Sequence, residues 1–263
     1  MPHRIDDINR RTMARREVVH QYAQNHQLSP AERSALDLIV DEARGRPILD
    51  IGVGGGRTVD ALVAVSGNYV GVDYSEPMVA AARARRPNVH FRHADARDLS
   101  FLADGSIFLA VFSCNGIGMV GHEDRLKILR EVHRVLAPGG AFLMSTHNLR
   151  CRELDLGFRF PEFERTRNPA KLLVRSARFA RSTARRVYNR WRFEKVGYRN
   201  DDHAMVNDVC HDYGVMLYFI TLQKQREQLE RMGFRGDAAA FDLEGRRVHS
   251  DTTDNSITLL ARK

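Results

Sequence analysis

Ile48-Leu49-Asp50-Ile51-Gly52-Val53-Gly54-Gly55-Gly56-Arg57-Thr58 decides the fold of this chain, together with the run Val70-Gly71-Val72-Asp73-Tyr74-Ser75 that answers it. The apolar Ile48, Leu49 and Ile51 suit a strand buried on both faces. The glycines after it let the backbone turn sharply and approach a ligand closely before Arg57-Thr58 opens a helix. Asp73 falls at the tip of the next strand, about where a carboxylate meets ribose hydroxyls in a nucleoside-binding strand-helix-strand unit. A dinucleotide loop of the G-x-G-x-x-G type would need glycine where Arg57 stands, and here the glycines fall at 52, 54 and 56.

Working outward, strands at 48–51, 69–72, 89–92, 107–113 and 141–146 alternate with helices at 58–65, 76–85 and 125–136. Such alternation predicts a doubly wound, mostly parallel α/β sheet with right-handed crossovers. Upstream, Ser29-Pro30-Ala31-Glu32 offers a cap, a first-turn proline and a glutamate that reaches back to the cap amide, so a helix is expected from there to Arg44, stopped by Gly45. Residues 4–24 read as a polar helix. Near the other end, Gly214 to Thr221 reads as a return to the core, 223–232 as a polar helix, and 238–243 and 256–261 as strands.

The D-x-G-x-G-x-G pattern with an acidic strand tip resembles the class I S-adenosylmethionine-dependent methyltransferases. The resemblance continues in order through His93-Ala94-Asp95-Ala96-Arg97-Asp98-Leu99, Val111-Phe112-Ser113-Cys114-Asn115 and Arg130-Glu131-Val132-His133-Arg134-Val135-Leu136-Ala137-Pro138-Gly139-Gly140. It implies a Rossmann-like, seven-stranded sheet closed by an antiparallel hairpin, with residues 45–149 and 214–263 as the core. Residues 1–44 are then a helical cover, and 150–213 an inserted lid that recognises the acceptor. It also implies S-adenosylmethionine as the cofactor. Asp50, Gly52 and Gly54 would meet its methionine part and Asp73 its ribose. Tyr74 and Met78 would face the adenine, with Asp95 and Ala96 at its edge and Cys114 beside the site. The Asn-Pro-Pro-Tyr-type motif of nucleic-acid amino-methylating enzymes is absent at Cys114-Asn115, which weakens adenine N6 methylation as a reading.

Hydrophobic residues make up 43% of the 263 residues and charged ones 28%, an ordinary balance for a globular protein. No run of about 20 apolar residues is present and the first residues lack a signal-peptide core, so a cytoplasmic protein is expected. Cys114, Cys151 and Cys210 suggest neither a disulfide framework nor a zinc site. The net charge of +8 is concentrated: 165–192 holds ten Lys or Arg and no Asp or Glu, leaving the rest of the chain at −2. Asn168-Pro169 caps a helix there, along which Leu173, Ala177, Ala180, Ala184, Val187 and Trp191 recur at steps of three or four. The stripe asks for burial against the core or a lipid surface.

A hydroxyl acceptor is a weak nucleophile near neutral pH and gains from a general base, for which histidine has the fitting pKa. His147, at the carboxyl end of the fifth strand, and His211, where the inserted segment returns, are the leading candidates; His122 is a third, and His133 reads as structural. No metal site is expected: Asp201, Asp202, His203, Asp208, His211 and Asp212 match no standard ligand spacing and read as a solvated acidic loop. The favoured expectation is O-methylation of a small molecule or glycan, with the arginines meeting an anionic acceptor such as a phosphorylated one. An RNA methyltransferase, a membrane-surface lipid enzyme docking through 165–192, and a non-catalytic adaptor are the alternatives.

Overall fold

The computed structural model describes residues 2–24, 27–155 and 157–263. Two helices open the chain, α1 (Pro2–Met13) and α2 (Arg16–Ala23), followed by α3 (Pro30–Asp37) and α4 (Val40–Ala43). The capping box at Ser29 and Glu32 is formed as its residues dictate. The expected single helix to Arg44 is broken at Leu38-Ile39, because the bend puts Ile39 into the core and leaves Leu38 outside. Then follow β1 (Ile48–Ile51), α5 (Val59–Val65), β2 (Tyr69–Asp73), α6 (Glu76–Arg85), β3 (Phe91–His93), β4 (Ile107–Phe112), α7 (His122–Val135) and β5 (Leu136–Asn148). After the long α8 (Pro169–Phe193) come β6 (Tyr198–Arg199), β7 (His203–Asp208), β8 (Val215–Ile220), α9 (Leu222–Arg231), β9 (Ala239–Phe241), β10 (Arg247–Val248) and β11 (Ser256–Arg262).

The central strands run in the order β3-β2-β1-β4-β5-β11-β9, with β10 on the outer edge. The first five are parallel and β11 enters antiparallel between β5 and β9, as the expected closing hairpin requires. Both faces are covered. One carries Leu49, Ile51, Ile128, Leu129 and Phe142, the other Ile48, Leu62, Val79, Phe108 and Leu143, so neighbouring residues of β1 supply opposite layers. No helix among the described residues is long and apolar enough to cross a membrane.

One reading of the segment after 149 is corrected. The passage 200–213 is no solvated acidic loop: residues 203–208 form β7, which pairs along its whole length with β8. Buried Ala204 and Met205 carry it, a hydrophobic run too short to stand out among His203, Asn207 and Asp208. β8 is buried along its whole length and joins the central sheet where Phe219 and Ile220 pair with His147 and Asn148 of β5. The segments 203–208 and 215–220 form an antiparallel pair at this end of the sheet. Helix α1 packs on it through Ile5 and Ile8, and the buried Asn9 bonds the carbonyls of Met119 and Met216 and the Met216 amide.

Arg125 is fully buried and has no carboxylate partner among the described residues. Its guanidinium donates to Gln228 Oε1 at 2.9 Å, the Ile117 carbonyl at 3.1 Å, Thr146 Oγ1 at 3.2 Å and Gln225 Oε1, and it lies over the Tyr218 ring. Burial lowers its pKa to about 10. Arg125→Leu is expected to cost about 1–3 kcal/mol in urea unfolding, because the buried Gln225 oxygen is then left without its guanidinium donor.

Candidate functional site

A cavity of about 620 Å³ opens over the carboxyl ends of β1, β2 and β4, where ligands of open α/β sheets bind. Its size suits a small-molecule site. The glycine loop forms one wall. Gly52 and Gly54 have φ of +65° and +53°, and a Cβ on Gly52 would stand 2.7 Å from the Phe112 ring. A Cβ on Gly55 would stand 2.5 Å from Cα of Ala23, so α2 rests directly on the loop. Asp73 lies at the tip of β2, its carboxylate accepting from the Gly54 amide at 2.9 Å and the Ser75 amide at 2.8 Å. Burial raises its pKa to about 6. Each oxygen keeps a lone pair free for a second donor.

The other expected nucleoside contacts fall in two groups. Tyr74, Met78, Ala96 and Cys114 line the cavity with Gly52, Gly54 and Asp73. Asp50 does not: its carboxylate is wholly buried behind β1, accepting from Thr58 Oγ1 at 2.5 Å and Tyr69 Oη at 2.8 Å. Through Oδ2 it braces the start of α5, while its Oδ1 is buried with no partner among the described residues. Asp95 is also turned away, held by Arg97 and by Arg10 of α1, each at 2.6 Å, because two guanidinium groups outcompete an open cavity for its charge. Arg10 also lies 4.6 Å from the centre of the Tyr74 ring. Tyr74 Oη and Ser75 Oγ are buried without partners, which leaves polar capacity at this end for a nucleoside.

On the far wall, residues 211–213 form one turn of left-handed backbone, with φ of 52°, 59° and 57° at His211, Asp212 and Tyr213. For non-glycine residues this costs roughly 1–2 kcal/mol each, so the surroundings must impose it. They do. Ser182 and Arg186 of α8 bond Asp212 Oδ1 at 2.6 and 3.0 Å, Asn189 bonds its carbonyl at 2.9 Å, and Asn207 bonds the Tyr213 carbonyl at 2.8 Å. The strain aims His211 into the cavity, 6.0 Å from the Tyr22 ring. Burial, then nearby Arg15, lower the His211 pKa, so its imidazole is neutral at pH 7 and able to accept a proton.

His147 does not join it. Its ring lies beside Phe219 and is 3.5 Å from the Asn115 amide, outside the cavity wall, and burial lowers its pKa to about 4. His122 is equally remote, stacked on His203 at 4.2 Å and bonded to Tyr218 Oη, while His133 meets the Gly233 carbonyl. The six acidic and histidine residues of 201–212 do not converge: Asp202 binds Lys224, Asp208 accepts from the Cys210 amide, and Asp212 binds Arg186.

Sequence reasoning did not name Arg15, Val18 and Tyr22 of the helical cover, or Cys210, as site residues, and all four line the cavity together with Arg185 and Arg186 of the basic helix. The polar stretch 4–24 is expected to cover this end of the sheet, but its pattern does not mark which of its side chains enter the cavity. Arg57 was read only as a helix start, yet it forms a nearly buried pair with Glu32 at 2.6 Å. That pair ties α3 to the loop, and Glu32 also accepts from the Cys114 amide.

Residues 48–140 match a family described as methyltransferase domain. A probable S-adenosylmethionine-dependent methyltransferase of Mycolicibacterium smegmatis is 38% identical over 105 residues, covering 40% of this chain and 39% of that protein. An uncharacterised 37.1 kDa protein from a Streptomyces fradiae transposon is 30% identical over 78% of this chain and 59% of its own length. The chain thus spans well under two thirds of the curated relatives it matches first. The 1,6-didemethyltoxoflavin-N1-methyltransferase of Burkholderia thailandensis, with its acceptor and S-adenosylhomocysteine bound, superposes with a TM-score of 0.59 at 15% identity, covering 100% of this chain and 90% of that one. The CcbJ methyltransferase of Streptomyces caelestis gives 0.61 at 18% identity, over 93% and 95%. With the glycine loop, the strand order and the family match in agreement, residues 48–140 form a methyltransferase domain on a Rossmann-like sheet of the kind seen in S-adenosylmethionine-dependent methyltransferases.

Proposed function

We propose that the protein transfers the methyl group of S-adenosylmethionine to a hydroxyl of a small-molecule or glycan acceptor that carries an anionic group. The observation that carries this reading is a single cavity with the glycine loop and Asp73 on one wall and the neutral His211 on another. When bound, the sulfonium donor supplies an already activated methyl group. The chain's residues have to hold it, aim it and exclude water. Asp73 accepts the ribose hydroxyls with its two remaining lone pairs, Tyr74 and Met78 flank the base, and Ala96 borders its edge. Met13, Val18 and Tyr22 shield the cavity from solvent. An imidazole nitrogen of His211 takes the proton of the acceptor hydroxyl as the new bond forms.

The anionic character of the acceptor is supported by Arg15, Arg185 and Arg186 on the same wall. Arg185 and Arg186 are anchored by Glu17 and Asp212, while Arg15 has no carboxylate partner among the described residues. Calorimetry is expected to show binding of S-adenosylmethionine and S-adenosylhomocysteine, and labelled donor is expected to mark a glycan or small-molecule fraction of a cell extract. Tight NAD binding without donor binding would overturn the assignment of the cofactor, and label appearing only in RNA or protein would overturn that of the acceptor.

A further inference from the structure

We propose that α8 is an interfacial anchor that seats the protein on an anionic lipid bilayer through an outward-facing apolar stripe. A surface helix ordinarily turns its apolar stripe to the core and its charges to water. In α8 the arrangement is reversed. Arg185, Arg186 and Arg190 point to the protein, where the first two pair with Glu17 and Asp212 and the third donates to the Asn207 carbonyl at 3.2 Å. Asn189 is the one buried residue of the helix. The stripe Leu173, Ala177, Ala180, Ala184, Val187 and Trp191 is exposed from end to end, with Leu173 at 74%, Val187 at 53% and Trp191 at 75%. Val174 and Tyr188 widen it, each more than half exposed.

The chemistry of this face selects its partner. On the helix Arg181 and Arg192 lie beside the stripe and Arg178 is exposed further round, and Arg178 and Arg181 have no carboxylate partner among the described residues. No acidic residue occurs between 165 and 192 to oppose them. An apolar strip with a cationic margin matches a lipid interface, where the side chains enter the acyl boundary and the guanidinium groups meet anionic headgroups. A nucleic-acid backbone would instead ask for guanidinium groups along the outward face. Pairing with a second copy would bring two acid-free cationic helices together across a stripe that is half alanine. The inner face of the same helix holds the strained turn at His211, so the lipid-facing stripe and a wall of the cavity are two sides of one element.

Trp191 is the only tryptophan of the chain, so its fluorescence reports on this face alone. With the full chain, emission is expected to shift to the blue, and the protein to co-sediment, with phosphatidylcholine vesicles containing about one third phosphatidylglycerol, but not with phosphatidylcholine alone. Raised salt is expected to weaken the binding. The pair Leu173→Glu with Val187→Glu should reduce partitioning at least about tenfold, as should Arg178→Glu with Arg181→Glu. These side chains are exposed, so circular dichroism and the thermal midpoint are expected to stay unchanged. The proposal is overturned if the chain ignores anionic vesicles at low salt. It is equally overturned if Trp191 is already blue-shifted in a dimer seen by light scattering, or if RNA is bound and vesicles are not.

Discussion

Replacing Asp73 with alanine is expected to weaken S-adenosylmethionine binding by about 1.5–3 kcal/mol for each charged hydrogen bond lost. The carboxylate is the one acidic group at the tip of β2 that both lines the cavity and holds the glycine loop, through the Gly54 amide. Its pKa, raised to about 6 by burial, gives the prediction a second readout. Ribose hydroxyls donate to the ionised form, so donor affinity should be full at pH 7 and fall as the pH drops through about 6. Asp73→Asn keeps an acceptor oxygen but cannot titrate, and should flatten that profile. A dissociation constant unmoved by Asp73→Ala in calorimetry would remove this residue from the site.

His211→Asn should lower kcat by about 10² to 10⁴ and leave donor affinity nearly unchanged. The base acts in its neutral form, and burial lowers its pKa, so the wild-type rate should hold level near pH 7 and decline only below the ordinary histidine value of about 6.5. In the variant that acid limb should vanish. His147→Asn, which alters a ring outside the cavity wall, should change kcat by no more than a few-fold. Should His147 carry the larger effect, the assignment reverses; loss of activity with a chelator would point to a metal in place of either histidine.

The glycine spacing, the acidic tip of β2 and the order of strands and helices were legible because each depends on neighbours in sequence. Gly52 and Gly54 need positive φ wherever the loop sits, and Ser29 with Glu32 closes its capping box within one turn. Asp50 and Asp95 show the limit of such reading. A motif marks the position of a carboxylate but not which donors reach it first, and Thr58, Tyr69, Arg10 and Arg97 reach these two.

The sequence by itself determined a doubly wound sheet, a nucleoside-type loop and a basic amphipathic helix from Pro169, all written in local patterns of hydrophobicity, glycine and charge. Only the tertiary structure decided which histidine enters the cavity, and it did so by forcing His211 into a left-handed turn held by Asn189, Ser182 and Arg186 from a distant helix. It also decided which face of α8 meets the protein. Periodicity fixes that a helix has two faces, but the carboxylates of Glu17 and Asp212, brought together from separate parts of the chain, draw the arginine face inward and leave Leu173 and Trp191 to the solvent.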